Sequence, residues 1–260
     1  MYKKLILLFS ASLIFACSSD DSTTNPETDE TVLVIKITQT VYYSNSENIS
    51  VTNFNYANEK LLSISSDNMN NRLEFVYEGD KIVKANQINN NTTVGFNTLS
   101  YEGNNLKSIL QSNNSNKTEY TYSNNILNTE VYSSFYDGVW TQMDKKTYTF
   151  VNGNATQIIH HMTNTGINSI SKSTYTFDSK NNPMRDMDSV IRLLLSFEGF
   201  SPLSSNNKIS QKSFNNLQAT TPSEEYSYDI IYNSDNFPIQ IIRKVAGSTN
   251  PISKTVIEYL

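Results

Sequence analysis

The chain has 260 residues and carries 25 Asp and Glu against 20 Lys and Arg, a formal net charge of −5. An acidic balance with no basic cluster argues against a nucleic-acid partner, whose phosphates require concentrated positive charge. Charged residues make up only 17% and uncharged polar ones dominate, yet 16 Tyr and 12 Phe suffice for a core.

Residues 1–16 read as an export signal. Lys3 and Lys4 supply a positive start, and Leu5 to Phe15 form an apolar run too short to remain as a membrane-spanning helix. Removing them takes away two lysines and no acids, so the net charge falls to −7. The chain's one cysteine, Cys17, follows at once. Ser18 to Glu30 is polar and acidic with nothing to bury, which predicts a disordered tether over 17–30 and a single domain over 31–260.

The domain opens on a β-rich run, Thr31 to Ser44, in which Leu33, Ile35 and Ile37 are expected to share one apolar face. From Phe54 onward a pattern recurs: two large apolar residues at i and i+2, a polar turn, then an aliphatic five residues after the second. Phe54 and Tyr56 precede Leu61; Phe75 and Tyr77 precede Ile82; Leu99 and Tyr101 precede Leu106; Tyr120 and Tyr122 precede Leu127; Tyr148 and Phe150 precede Ala155. Degenerate copies stand at Tyr175–Phe177, Ile230–Tyr232 and Ile257–Tyr259. The second positions are spaced by 21 to 28 residues, except for one step of 55 between Phe177 and Tyr232, which reads as a double step.

Residues i and i+2 share a face only on a strand, and the links (Glu78-Gly79-Asp80, Ser123-Asn124-Asn125, Asn152-Gly153-Asn154) are rich in residues that tolerate positive φ. Each unit is therefore a β-hairpin. The predicted fold is all-β, a long curled antiparallel meander built from repeated β-hairpins. About fourteen to sixteen strands cannot stay flat. The aromatic pairs should line its inner face.

One helix is predicted near 188–199, where Val190, Ile191, Leu193, Leu194, Leu195 and Phe197 are apolar nearly all round, with Asp188 or Ser189 as N-cap and Gly199 as C-cap. It should bury itself against the sheet and fill the open end of the curl. Asp186 and Asp188 are too few oxygen ligands for calcium, and capping explains them more simply. His160 and His161, adjacent on a strand, point to opposite faces and cannot easily share a metal.

The sequence has no Gly-rich phosphate loop, nucleophile elbow or HExxH motif, and nothing singles out a pair of catalytic carboxylates. The expectation is a protein that is not an enzyme and takes no cofactor and no metal. Tyr136-Asp137-Gly138-Val139 is a predicted hairpin tip with Trp140 beside it. Tyr136 and Trp140 are the candidate ligand-stacking residues, with Tyr132 and Phe135 nearby.

Three resemblances add to this reading. Leu13-Ile14-Phe15-Ala16-Cys17 resembles the lipobox of bacterial lipoproteins, although Phe15 replaces the usual small or β-branched residue. That resemblance implies cleavage before Cys17, lipid attachment at Cys17 and anchoring to the membrane, where multiple acyl chains hold stably. An ordinary signal peptide that leaves Cys17 as a free thiol is the alternative. Ser19-Asp20-Asp21 looks like the acidic signal that carries Bacteroidetes-type outer-membrane lipoproteins to the cell surface; a plain solvated tether reads equally well. Tyr175-Thr176-Phe177-Asp178, followed by Asn181-Asn182-Pro183, resembles YD-repeat (RHS-like) sequences. Most copies lack the Asp, with Ala57, Glu78, Glu102, Ser123 and Val151 in its place. Together these imply a non-catalytic, surface-displayed lipoprotein of the outer membrane, serving as a binding or adhesion module for a glycan or protein partner. A glycan-binding protein of a nutrient-uptake system is the alternative function, an undetected hydrolase a third, and a periplasm-facing lipoprotein the alternative location.

Overall fold

The computed structural model describes residues 31–67, 69–164 and 167–260. The expectations for Cys17, the signal peptide and the tether lie outside these residues. Sixteen strands follow one another in chain order. The first eight are β1 (Val34–Tyr42), β2 (Glu47–Ala57), β3 (Lys60–Ser66), β4 (Met69–Glu78), β5 (Lys81–Asn89), β6 (Thr92–Glu102), β7 (Asn105–Gln111) and β8 (Asn116–Ser123). They are followed by β9 (Ile126–Tyr136), β10 (Val139–Val151), β11 (Asn154–Asn164), β12 (Ile167–Asn181), β13 (Asn206–Phe214), β14 (Glu224–Tyr232), β15 (Pro238–Val245) and β16 (Pro251–Tyr259). Each strand pairs antiparallel with its neighbours in sequence, and β16 pairs with β1, so the meander closes into a barrel. The closure is more definite than the curl expected from the sequence, and it leaves no free sheet edge in the ring.

The repeat is the engine of this fold. In six hairpins the register shifts just before the second repeat position, between Asn55 and Tyr56, Val76 and Tyr77, Ser100 and Tyr101, Thr121 and Tyr122, Thr149 and Phe150, and Ile231 and Tyr232. Such a bulge sharpens strand twist. Repeated around the ring, it bends the sheet toward closure. The turns that follow are short, with positive φ at Asn58 and Glu59, Asn124 and Asn125, and Asn152 and Gly153. Asn and Gly tolerate that geometry.

Four of the six second-position tyrosines then tie their hairpins to the one before. The hydroxyls of Tyr56, Tyr77, Tyr101 and Tyr259 donate to the carbonyls of Val34, Leu61, Ile82 and Pro238 at 2.9, 2.9, 2.7 and 2.7 Å. The rings stay half-buried, and burial pushes the Tyr77 and Tyr101 phenols up to about 12. Inward from them Phe54, Phe75, Leu99, Tyr120 and Tyr148 are buried, as are the aliphatics five residues on, Leu61, Ile82, Leu106 and Leu127. Burying each large side chain contributes roughly 1.5–3 kcal/mol.

All these turns lie at one end of the barrel, the end at which β1 begins, here the proximal end. It is closed by the segment 182–205 between β12 and β13. The 55-residue step is therefore one hairpin unit enlarged by this insertion, a correction to the double step read from spacing. A short helix, α1 (Ser189–Leu194), lies within the insertion. Asp188 caps it, its carboxylate accepting the Val190 N–H at 2.7 Å. The C-cap is Leu195, so α1 ends well short of Gly199. Gly199 instead makes room for close packing. An added Cβ there would lie 2.7 Å from Thr255 Oγ1, so the missing side chain lets the insertion press against β16. Met184, Met187, Val190, Ile191 and Phe200 are buried against the inner faces of the strands. Asn182 is fully buried at the repeat position that carries an aliphatic elsewhere, five residues after Phe177.

One further correction concerns β1. The register shifts between Val34 and Lys36, so the buried pair is Val34 and Ile37, and Ile35 does not share their face.

Candidate functional site in the open half of the barrel

The distal half, opposite the insertion, is where side-chain chemistry collects. Alternation from the buried anchors dictates what faces inward. Two residues beyond Ala85 stands Gln87, two before Leu99 stands Asn97, two beyond Ile109 stands Gln111, and two and four before Tyr120 stand Thr118 and Asn116. The ladders set these groups side by side, with Asn97 opposite Gln111 and Thr118 opposite Tyr132. They line a cavity of about 230 Å³ together with Ile109 and Lys117. The Asn116 amide braces it: its nitrogen donates to Gln111 Oε1 at 2.7 Å, and its oxygen accepts the Tyr132 hydroxyl at 2.7 Å and Ser134 Oγ at 2.9 Å.

Beside this amide arc the inner wall of β9–β11 is ionic. Glu130 accepts from Lys146 Nζ at 2.9 Å and, on its other oxygen, from the Tyr148 hydroxyl at 2.7 Å. Burial, with the Glu130 carboxylate next to it, pushes the Tyr148 phenol far up. His160 Nε2 meets Asp144 Oδ2 at 2.6 Å. His161 pairs in register with Lys145, on the opposite face from His160. Glu130 is thus engaged on both oxygens. No group of three or more His, Cys, Asp or Glu able to hold a metal exists among the described residues.

Deeper in the barrel, β13 to β15 grip the insertion. Lys208, 6% exposed, donates to the Glu198 carbonyl at 3.3 Å and to Gln211 Oε1 at 3.4 Å, with its ammonium 4.6 Å from the Tyr228 ring centre. Arg243 Nη1 bonds the Glu198 carboxylate at 3.0 Å. Burial, reinforced by the Arg243 charge, pushes the Lys208 amine down to about 7.

The stacking residues expected from sequence fall elsewhere. Trp140 and Phe135 pack at 5.1 Å on the β9–β10 hairpin, and Lys117 Nζ covers the Trp140 ring at 4.8 Å. Tyr136 is 75% exposed at the hairpin tip. Of the four aromatics only Tyr132 joins the inner site. Gln87, Asn97, Gln111 and Asn116 were missed, although counting by twos from each repeat anchor reaches all four.

No protein-family model and no curated protein matches this chain. Among solved structures, a porin-like protein from Bacteroides uniformis ATCC 8492 is similar with a TM-score of 0.45 and 11% identity, over 88% of this chain and 95% of that one.

The outer surface of the barrel is polar in its own right. Asn55 and Ser63, Ser100 and Ser108, and Thr121 and Thr129 face out as cross-strand pairs, the latter two joined through their hydroxyls. Lys36 and Glu258, Lys117 and Glu119, and Lys244 and Asp229 form ion pairs there. A bilayer-spanning barrel alternates apolar-out and polar-in. Here the large repeat anchors face in, and the exterior mixes these polar pairs with exposed aliphatics such as Leu62, Val76 and Ile231.

Proposed function

We propose that this chain is a non-catalytic envelope lipoprotein, anchored in the outer membrane through Cys17, whose barrel stands in water at the cell surface and binds a partner at its distal mouth. The observation that carries the reading is the facing of the barrel. Apolar side chains and the insertion fill its proximal half, hydroxyl and ion pairs are interspersed with exposed aliphatics over its exterior, and polar groups line its open half. A sealed barrel with a solvated outside is a scaffold that presents a mouth, not a conduit. The chain enters at the proximal end, so the mouth is the end farthest from the point of attachment to the preceding residues.

The hairpins read as degenerate relatives of the YD repeat. Asp178, the motif residue, supports this by serving the fold: its carboxylate accepts the Tyr232 hydroxyl and, at 3.0 Å each, the Lys180 and Asn207 N–H groups.

Protease treatment of intact cells tests the location, beside a Cys17→Ser control. Digestion of the wild-type protein without lysis, and release of the variant from the membrane fraction, are the expected results. Protection until lysis would move the barrel to the periplasm and remove the surface reading.

A further inference from the structure

We propose that the inner wall of β5–β9 is a carbohydrate site for an uncharged sugar, with the Gln87, Asn97 and Gln111 amides as its hydrogen-bonding face. This rests on the reading of the mouth as a binding surface and gives that surface a ligand class.

Three observations converge. First, the amides are placed but not used. Among the described residues the Gln87 and Asn97 side chains find no hydrogen-bond partner, and Gln111 spends only its Oε1, which Asn116 and Ser115 hold. Polar groups committed to a fold are normally paired; these three are half-buried and adjacent on the same face, and only the Gln111 oxygen among them is engaged. Second, the arc presents no unpaired charge. Lys117, at its edge, pairs with Glu119 at 2.9 Å and lies over the Trp140 ring, Lys146 pairs with Glu130, and the Asp144 carboxylate meets His160. A phosphate or carboxylate ligand would find no unpaired counter-charge among the residues lining the arc, and a cation would find no carboxylate among them. Third, the chemistry matches a sugar hydroxyl. A side-chain amide offers two donors and an acceptor in one plane. A vicinal diol, each oxygen both donor and acceptor, satisfies two such groups at once. Ile109 below and the Tyr132 ring beside the amides supply apolar surface for the C–H face of the sugar. The bonds that Asn116 makes to Gln111 and Tyr132 hold this frame in place without ligand, which lowers the entropy cost of binding.

The site differs from the hairpin tip, where Trp140 already carries Lys117 on its ring. Binding of the full chain to immobilised neutral oligosaccharides and to uronic-acid oligosaccharides separates the two. Gln87→Ala with Asn97→Ala, and Trp140→Ala, serve as variants, and thermal unfolding confirms that each is folded. The expected result is retention on neutral glycans, weakened roughly tenfold or more by the amide pair and unchanged by Trp140→Ala. Loss with Trp140→Ala alone would transfer the site to the hairpin tip, and retention only on uronates would overturn the uncharged class. No retention on any glycan by a protein that intact-cell proteolysis places at the surface would sink this site and leave the surface-module reading standing.

Discussion

Asn182 occupies a position that its repeat fills elsewhere with Leu, Ile or Ala, and the substitution decides what the chain does next. Its Nδ2 donates to the carbonyls of Ser201 at 3.0 Å and Asn206 at 3.1 Å, and its Oδ1 accepts the Met184 N–H at 2.9 Å. A polar side chain at a core position must be paired, and here the partners are the two ends of the insertion. Asn182 thereby converts a tight turn into a rooted excursion. Asn182→Leu restores the residue type of the repeat at similar volume but takes the amide's bonds from the Met184 N–H and the Asn206 carbonyl, while the Ser201 carbonyl keeps the Ser204 N–H. Leaving such groups unpaired costs about 1–3 kcal/mol each where they stay dry, partly recovered by the added apolar burial. A net loss of roughly 2 kcal/mol is expected, read as a lower urea midpoint. A variant as stable as wild type would mean the insertion is held by its apolar contacts alone.

At the scale of the element, the hairpin was legible and the insertion only in part. Phe54 and Tyr56, with Leu61 five residues on, declare a strand, a turn and a returning strand from three side chains, because period-two alternation fixes which of them share a face. The same pattern hid the bulge. The five-residue gap, where even alternation across a two-residue turn predicts a different parity, was its only trace. The helix was legible from its apolar run and Asp188, but its end was not: Gly199 reads as a C-cap, whereas it is a contact with Thr255 across 56 positions of sequence. The amide arc stayed unread because Asn and Gln are abundant in this chain and only register sets four of them side by side. The contact at Gly199 carries a test. Gly199→Ala puts a methyl within 2.7 Å of Thr255 Oγ1, too close to remain, so the insertion must lift from β16. Overpacking of this kind costs roughly 1–3 kcal/mol. Hydrogen exchange should quicken in 197–205 before it quickens in β5–β8, and equal protection throughout would show that the methyl is absorbed by a shift of Thr255.

At the scale of the molecule, closure depends on β1 finding β16 more than 200 residues away, and no local signal announces it. Closure has an electrostatic consequence, because it traps titratable groups inside. The Lys208 ammonium lies against Tyr175 and Tyr228, with Arg243 and Glu198 as its charged neighbours. In the unfolded chain this amine keeps its proton to about 10.5, and in the folded barrel burial and Arg243 release it near 7. Between those limits the unfolded state binds more protons, so stability rises with pH, by at most about 1.4 kcal/mol per pH unit. Below about 7 both states hold the proton and the contribution is constant. The tyrosines act in the opposite sense. Burial pushes Tyr77 and Tyr101 up to about 12, and Tyr56, Tyr120 and Tyr228 further, against an ordinary value of 10.0. Above about 10 the folded state therefore binds more protons, and stability is lost as pH rises through the folded values. The two trends place the maximum between roughly pH 9 and 10. Lys208→Met keeps the buried stem, removes the amine and should flatten the rise that begins near 7 while leaving the alkaline fall intact. Urea midpoints measured across this range for both proteins decide it: a rise of the same slope in Lys208→Met would assign the titration to another group and release Lys208 from its part in holding the insertion.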